Sequence, residues 1–371
     1  MKRILILSCI SFILFNCKHK ELTPVATQKN HINHQIFQEN RLDPRADFFT
    51  YESNNISEKE KSSRFLSLNG EWNFHWVKNP NDRPTTFHHL DYDDTDWKKI
   101  KAPGNWETQG FGKPIYLDER YPFTTKWPNV PQEYNPVGTY RKIINLNKEF
   151  LSEDIILHFE AIKAVYIYIN GQYVGYSQGS KTSAEFNVTK YLNEGDNIIA
   201  LQLFRWSDAS YLESQDMLRM SGIERDVYLF TRPKVYISDF HAKTSLDETY
   251  TNGIFNGTFS ITNDTDENVS KELGVSLQNN FKGAQLLNIP ANSTIEFKID
   301  KIIKNIKSWS AETPNLYDLQ ISLDDQFIKK KIGFKRVEIK NSQVLINGKP
   351  IYIRGVDRHE TDPYTGHVVS K

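Results

Sequence analysis

The sequence contains very little cysteine and no excess of charge of either sign. Among its 371 residues, only Cys9 and Cys17 are cysteines, and Cys9 lies within an apolar segment near the N terminus. If export removes that segment, one cysteine remains and no internal disulfide can form. Lys and Arg together number 46, as do Asp and Glu, so the formal net charge is zero. Because binding to nucleic acid depends on excess positive charge, we predict no nucleic-acid partner.

Some motifs of common enzyme classes are also missing. The sequence has no Cys/His cluster with the spacing of metal ligands and no phosphate loop ending in Gly-Lys-Ser or Gly-Lys-Thr. It has no amphipathic stretch long enough for three helical turns. These absences argue against zinc and P-loop chemistry, and we predict that this chain binds no cofactor of its own.

Residues 1–16 have the layout of a secretory signal peptide, with Lys2 and Arg3 before an apolar run over residues 4–15. The run is too short to span a bilayer comfortably. Cys17 follows it directly, which resembles the bacterial lipoprotein motif in which the cysteine is acylated after cleavage. We therefore predict export to the periplasm or cell surface, with lipidation of Cys17 and a membrane anchor. Ordinary secretion is the alternative.

The sequence after Cys17 changes character near residue 51. Residues 17–50 are polar without apolar periodicity, which predicts a flexible tether behind the lipidated N terminus. Over residues 51–233, short runs rich in Val, Ile, Tyr and Phe are separated by Gly, Asn, Asp and Pro. Asn170-Gly171 between two such runs is a strong hairpin signal. This pattern predicts an all-β jelly-roll sandwich.

A second β-rich segment covers residues 234–336 and predicts an immunoglobulin-like β-sandwich without a disulfide. Residues 337–371 begin a different unit. In it, the apolar residues 351–353 are followed at once by ionisable side chains, namely Arg354, Asp357, Arg358, His359 and Glu360. A buried strand that carries polar groups at its C-terminal end is how a (β/α)8 barrel builds an active site. We therefore predict the start of a truncated barrel.

Four segments closely resemble β-galactosidases of glycoside hydrolase family 2, namely residues 68–76, 103–122, 205–226 and 346–363. The resemblance implies hydrolysis of terminal, non-reducing β-D-galactose residues in β-D-galactosides such as lactose, with retention. In the family, both catalytic glutamates and the magnesium ligands lie later in the barrel. We therefore assign no catalytic residue here and predict that this chain alone is inactive. A complete family enzyme is expected to use magnesium and sodium, and it could form a homo-oligomer.

The resemblance also changes the interpretation of Asp208. Taken alone, an Asp in a loop after an apolar strand most often forms an Asx-turn or faces solvent. The family's Trp-Ser-Asp motif instead implies that Asp208 contacts the galactosyl unit and a sodium ion. The partner expected at this position is thus a β-galactoside.

The same resemblance places His359 in the sugar subsite and Asp118 on a loop that contacts the sugar. Asp118 and Asp357 stand where the family usually has Asn. An ionised Asp only accepts hydrogen bonds, whereas Asn also donates them, so these contacts are expected to differ in strength and selectivity. We assign supporting roles to Asp357 and Glu360.

Two other functions fit the same domain order. A non-catalytic surface carbohydrate-binding protein would use the two sandwiches alone. A β-glucuronidase or β-mannosidase would share the sandwiches and the barrel. The Trp-Ser-Asp and Arg-His-Glu motifs favour the galactosidase.

Overall fold

The computed structural model describes residues 29–118, 120–213 and 216–369. The predicted signal peptide and the lipidation site at Cys17 lie outside these residues. Within them, the regular structure consists of β-strands and short 3-10 helices, and the predicted all-β class is confirmed. The described part of the chain contains no helix that is both long and apolar enough to cross a membrane.

The first sandwich and its flanking loops contain the first fifteen of the described strands. They are β1 (Gln38–Glu39), β2 (Phe65–Ser67), β3 (Gly70–Val77), β4 (Lys98–Ala102), β5 (Gly104–Asn105), β6 (Ile115–Leu117), β7 (Val137–Leu146), β8 (Asp154–Phe159), β9 (Val165–Ile169), β10 (Gln172–Ser177), β11 (Ala184–Asn187), β12 (Gly195–Phe204), β13 (Met217–Arg219), β14 (Gly222–Ile223) and β15 (Val227–Arg232).

Seven strands follow in the second sandwich, and three in the C-terminal part. They are β16 (Val235–Leu246), β17 (Gly253–Asn263), β18 (Val269–Leu277), β19 (Phe281–Ile289), β20 (Ser293–Ile303), β21 (Tyr317–Leu323), β22 (Gln326–Ile332), β23 (Val337–Lys340), β24 (Gln343–Ile346) and β25 (Lys349–Pro350). The 3-10 helices of the described residues are Asn30–Ile32, Lys59–Lys61, Pro80–Asp82, Glu107–Gln109, Phe150–Ser152, Thr189–Tyr191 and Asp208–Tyr211.

The first sandwich packs a seven-stranded antiparallel sheet, in the order β1-β10-β9-β12-β7-β3-β4, against a four-stranded sheet, β11-β8-β15-β2. Strand β9 shows how alternating side chains build this sandwich. Val165, Ile167 and Ile169 lie in the core between the sheets, whereas Tyr166 and Tyr168 lie in a cluster on the outer face with Phe87. Both faces of this strand are therefore buried, which explains its continuous apolar and aromatic sequence.

The predicted hairpin at Asn170-Gly171 is confirmed. Both residues have positive φ, 49° and 81°, and Ile169 pairs with Gln172 across the turn. Two consecutive positive φ angles define the turn type that matches the twist of paired strands, and Asn-Gly adopts it readily.

The second sandwich packs the three-stranded sheet β16-β17-β20 against the four-stranded sheet β19-β18-β21-β22. Its core includes Phe255, Phe259, Leu277 and Ile321, all fully buried. Because the sheets have enough strands to cover a common apolar core, the domain needs no disulfide.

The predicted flexible tether over residues 17–50 is not what the structure shows from residue 29 onward. Strand β1 extends the seven-stranded sheet, with Gln38 paired to Ser177. Phe48, only 7% exposed, lies in the core of the second sandwich. This segment, which we call the N-terminal arm (residues 29–52), runs across both sandwiches with a largely irregular backbone. Such a path needs single apolar side chains at uneven spacing, which is why the sequence has no periodicity there.

After the second sandwich, β23, β24 and β25 form a small three-stranded sheet. The expected barrel strand over residues 351–353 is not formed: residues 351–361 have no regular structure, and Tyr352 and Ile353 are 86% and 77% exposed. A barrel strand is stabilised by parallel neighbours on both edges, and none of the described residues supplies them. Residues 362–369 then contact the first sandwich again, through a buried His367.

Candidate functional site

Asp208 begins the short helix Asp208–Tyr211, which follows strand β12 at one end of the first sandwich. Ser207 and Ser210 fix this helix by capping each other, and the Ser207 amide donates to the Ser210 hydroxyl at 3.0 Å. The Trp-Ser-Asp motif therefore works as a helix start that holds the Asp208 side chain at a defined position.

The Asp208 side chain is in an unusual environment for a carboxylate. The residue is only 7% exposed, and neither of its carboxylate oxygens makes a hydrogen bond of standard geometry with the described residues. Burial raises the pKa of Asp208, and the nearby Gln178 amide and Ala209 N–H only partly oppose this. A buried acid without strong donors is unfavourable for folding and is typical of a binding or catalytic site.

An aromatic cluster surrounds the same helix. Tyr211 and Trp206 are buried, and Tyr211 stacks on Trp127 with 3.9 Å between ring centroids and 30° between the planes. The Tyr211 hydroxyl donates to the Asn129 carbonyl at 2.6 Å, which fixes the loop that carries Trp127. Trp127 nevertheless remains 57% exposed. The short helix thus carries a buried acid at its start and, through Tyr211, holds an exposed indole; a sugar ring can use such an acceptor and such an apolar face.

His359 and Glu360 line a cleft of about 540 Å³ between the first sandwich and the irregular C-terminal segment. The sandwich contributes Lys181 and Glu213 to this cleft. Glu213 is held in place because its Oε1 accepts a hydrogen bond from the Ser180 amide at 2.6 Å. The cleft thus presents cationic donors and anionic acceptors together, which suits a neutral ligand rich in hydroxyl groups.

The predicted site residues are only partly brought together. His359 and Glu360 share the cleft, whereas Asp208 is not part of its lining. Gln178, whose amide is close to Asp208, directly precedes the Gly179-Ser180 wall of the cleft.

Two predicted acids lie apart from this cleft. The Asp118 side chain is 57% exposed and lies 3.8 Å from the Arg120 guanidinium. Asp357 is exposed and does not line the cleft. No group of three or more potential ligands among His, Cys, Asp and Glu is close enough to hold a metal ion within residues 29–118, 120–213 and 216–369.

Residues 175–179 read Gly-Tyr-Ser-Gln-Gly, which matches the nucleophile elbow of α/β-hydrolases in sequence. In the structure, however, Ser177 is the last residue of strand β10 and pairs with Gln38 and Val165. Its hydroxyl accepts a hydrogen bond from Arg41 at 3.1 Å. An elbow requires a sharp strand-to-helix turn that exposes the serine, so this motif has no catalytic meaning here.

Sequence reasoning missed a buried polar cluster around Glu224, which is 2% exposed. One Glu224 oxygen lies 3.0 Å from His367 Nδ1 and 3.3 Å from Asn105 Nδ2, and the other is paired with the Lys181 ammonium. Asn105 and Glu224 lie within two of the family-like segments, but these had suggested no role for them. His367 had no sequence signal at all.

Three models of one protein family match nearly all of the chain from residue 65 to residue 371. Residues 65–233 match the model described as "Glycosyl hydrolases family 2, sugar binding domain". Residues 235–335 match "Glycosyl hydrolases family 2", and residues 337–371 match the "TIM barrel domain" of the same family.

Similar proteins were found by sequence and by structure. The chain is 38% identical over 364 residues to a β-galactosidase of Priestia megaterium, covering 90% of this chain and 34% of that protein. It is 36% identical over 349 residues to a β-galactosidase of Streptococcus thermophilus, covering 91% and 34%. A crystal structure of a Bacteroides uniformis β-glucuronidase has a TM-score of 0.67 at 22% identity and covers 82% of this chain and 36% of that one. The chain thus spans about a third of the length of these relatives.

Proposed function

The chain belongs to glycosyl hydrolase family 2, and we propose that it binds the sugar for a β-galactosidase, an enzyme that removes terminal, non-reducing β-D-galactose residues with retention. The observation that carries the proposal is the Asp208 carboxylate without full hydrogen-bond partners, on the short helix whose Tyr211 stacks on the exposed Trp127. A galactosyl unit would supply hydroxyl donors to the carboxylate and an apolar ring face to the indole.

In this proposal, the residues of the chain bind and orient the sugar. Retaining hydrolysis needs two carboxyl groups about 5–5.5 Å apart, one as nucleophile and one as acid/base. The family resemblance assigns both groups to barrel sequence that these 371 residues do not include. Asp208 would accept hydrogen bonds from sugar hydroxyls, and His359 in the cleft would donate to or accept from them.

Asp208 would also hold a sodium ion. Its two shielded oxygens are hard acceptors without strong donors, which is the chemistry that such a cation requires. A bound cation would stabilise the ionised carboxylate and so counteract the rise in its pKa that burial causes. The magnesium expected for a complete family enzyme has no such candidate among the described residues.

A β-glucuronidase is the competing activity, because a uronic acid would need a cation for its carboxylate. Lys181 and Arg225 both line the cleft, and only Lys181 is paired with a carboxylate. Lys181 is paired with Glu224, and Arg225 Nη1 donates to the His367 carbonyl at 2.5 Å. The pairing of Lys181 with Glu224 and the two acids in the lining, Glu213 and Glu360, favour a neutral galactoside over a glucuronide.

Ligand-observed NMR with the full chain tests the proposal, since it detects weak binding. We expect saturation transfer to methyl β-D-galactoside but not to methyl β-D-glucuronide. Asp208→Asn should weaken the galactoside signal several-fold, because an amide cannot replace a charged acceptor. Asp96→Asn, at an exposed acid, is the matched control and should leave the signal unchanged. Equal signals from both sugars, or no effect of Asp208→Asn, would reject the proposed role.

We further propose that the protein is exported and anchored to a membrane by acyl chains on Cys17. The support is the order of charged, apolar and cysteine residues over positions 1–17. The N-terminal arm contacts the first sandwich at His31, whose backbone N–H donates to the Tyr166 hydroxyl.

A further inference from the structure

Residues 362–369 form a turn that returns to the first sandwich after the irregular segment. Asp362 and Gly366 form an antiparallel bridge, with backbone hydrogen bonds of 2.8 and 2.9 Å. Asp362 Oδ1 also accepts from the amides of Tyr364 and Thr365, both at 2.8 Å. The turn is therefore closed by its own hydrogen bonds and presents Gly366 and His367 to the sandwich as a rigid unit.

The sandwich satisfies every polar group of His367 except Nε2. Asn105 Oδ1 accepts from the His367 amide at 2.8 Å, and Arg225 Nη1 donates to its carbonyl at 2.5 Å. His367 Nδ1 lies 3.0 Å from Glu224 Oε1 and 3.4 Å from the Lys181 ammonium. His367 is 5% exposed and Asn105 is fully buried. A surface that binds the backbone and the side chain of one residue in this way is a specific receptor.

The receptor also selects the residue before His367. Gly366 has a φ of +68°, and a Cβ placed there would lie 2.5 Å from Asn105 Oδ1 and 2.6 Å from Met220 Sδ. Only glycine meets both the backbone and the space requirement. The receptor is held by the sandwich itself, since Asn105 pairs with Gly222 between β5 and β14.

Glu224 is the anionic centre of this contact. Burial raises its pKa, but the hydrogen bond with His367 and the charges of Lys163 and Lys181 outweigh that effect and hold the pKa well below its usual range. A buried carboxylate is stable only while such partners remain, so the receptor and the turn depend on each other.

We propose that Asn105 and Glu224 form a receptor for the Gly366-His367 turn and that Glu224 is a positioning residue for His359. His359 lies eight residues before His367, and Lys181 both pairs with Glu224 and lines the cleft that His359 enters. Docking of the turn thus fixes where the ionisable segment meets the sugar-binding domain. The importance of this position for sugar binding rests on the proposed function, but the docking itself does not.

Hydrogen exchange with mass spectrometry on the full chain tests the docking. In Gly366→Ala and Glu224→Ala, we expect the amides of residues 362–369 to exchange about tenfold faster or more, while peptides from β12 stay protected. Tyr364→Ala, at an 85% exposed position of the same turn, is the matched control and should change nothing. Glu224→Gln keeps an acceptor for His367 and should retain most of the protection. Gly366 lies outside the sandwich, so unchanged protection of residues 362–369 in Gly366→Ala would overturn the receptor. If Glu224→Gln loses as much of this protection as Glu224→Ala does, the role assigned to Glu224 is wrong.

A distance measurement tests the positioning separately. Nitroxide labels at Thr361→Cys and Leu212→Cys, both exposed positions, report the location of the segment next to His359. With Cys9 and Cys17 both replaced by serine, we expect a narrow distance distribution that broadens in Gly366→Ala and in Glu224→Ala. A distribution that is equally broad before and after these substitutions would refute the positioning role. Failure of the chain to bind galactosides would reject the proposed function while leaving both of these results intact.

Discussion

Arg45 and Glu185 form a two-point ion pair, with Nη2–Oε1 at 2.6 Å and Nε–Oε2 at 2.9 Å. Arg45 belongs to the N-terminal arm and Glu185 to strand β11 of the first sandwich. Arg45 Nη1 also donates to the Phe48 carbonyl at 2.9 Å, and the Phe48 ring lies in the core of the second sandwich. The pair therefore ties the arm to one sandwich at the point where it enters the other.

Loss of this pair should destabilise the protein. Glu185→Ala leaves Arg45 and His158 without their shared acceptor in a largely buried place. We expect the free energy of unfolding to fall by about 3 kcal/mol, the lower end of the range for breaking a buried pair, because Arg45 keeps some contact with solvent. Urea unfolding measures this. Glu58→Ala, which breaks an exposed pair with Lys61, is the control and should have no measurable effect. If Glu185→Ala lowers the free energy of unfolding no more than the control does, the Arg45–Glu185 pair does not hold the arm to the sandwich.

His31 should make stability depend on pH. Its ring stacks on Phe204 with 3.8 Å between centroids, and burial followed by the charge of Arg83 lowers its pKa from 6.5 to about 3. Between these pKa values the unfolded chain binds a proton that the folded chain does not, so stability decreases as the pH falls. We expect this residue alone to cost roughly 2 kcal/mol between about pH 7 and pH 5.

His31→Phe keeps the stacking on Phe204 and removes the titrating group. Unfolding curves for both proteins, recorded across that pH interval, should differ in slope, with the variant losing less stability on acidification. Parallel curves would show that His31 is protonated in the folded state or does not titrate there.

Turn chemistry and alternation made much of the fold predictable from sequence. The Asn170-Gly171 hairpin and the all-β class follow from local patterns, because positive φ angles and two-faced strands leave clear signals. The N-terminal arm and the docked turn around His367 were not predictable. Their contacts join positions such as Asn105 and His367, 262 residues apart, through irregular backbone that has no periodicity.

The candidate site was predictable to a similar extent. The location of Asp208 after a strand and the cluster at His359 follow from motifs. The burial of Asp208 does not, because its side chain lies close to Gln178, which follows strand β10 and is 30 residues earlier in the sequence. The exposure of Asp118 was also not foreseeable, since the sequence places it on the same loop as the half-buried Tyr121 and Phe123 without giving the direction of its side chain.

Cys17→Ser tests the proposed anchor. In a bacterial host that processes lipoproteins, the parent protein should enter the detergent phase, because two or more acyl chains give stable membrane attachment. The variant cannot be acylated and should shift to the soluble fraction. Mass spectrometry of the parent should find a mature N terminus at Cys17. An unchanged distribution of the variant, or a mature mass that starts at another residue, would reject the anchor.

The 371-residue chain should not hydrolyse a chromogenic β-galactoside. Asp208 and His359 can contribute hydrogen bonds to a sugar, but the resemblance assigns neither the nucleophile nor the proton donor to this chain. Covalent and acid/base steps need those groups, and binding residues cannot replace them. A few hydrogen bonds to a solvated sugar contribute only about 0.5–1.5 kcal/mol each, which corresponds to millimolar affinity or weaker.

The assay therefore compares the chain with its Asp208→Ala variant at high substrate concentration, and both should match the buffer background. Turnover by the parent that disappears in Asp208→Ala would show that the described residues include a reacting group. In that case Glu360, which shares the cleft with His359, would be the first carboxylate to examine, because no other acid of the Arg-His-Glu segment lines the cleft. Equal turnover in both proteins would instead point to a contaminating host galactosidase, which an additional ion-exchange step removes.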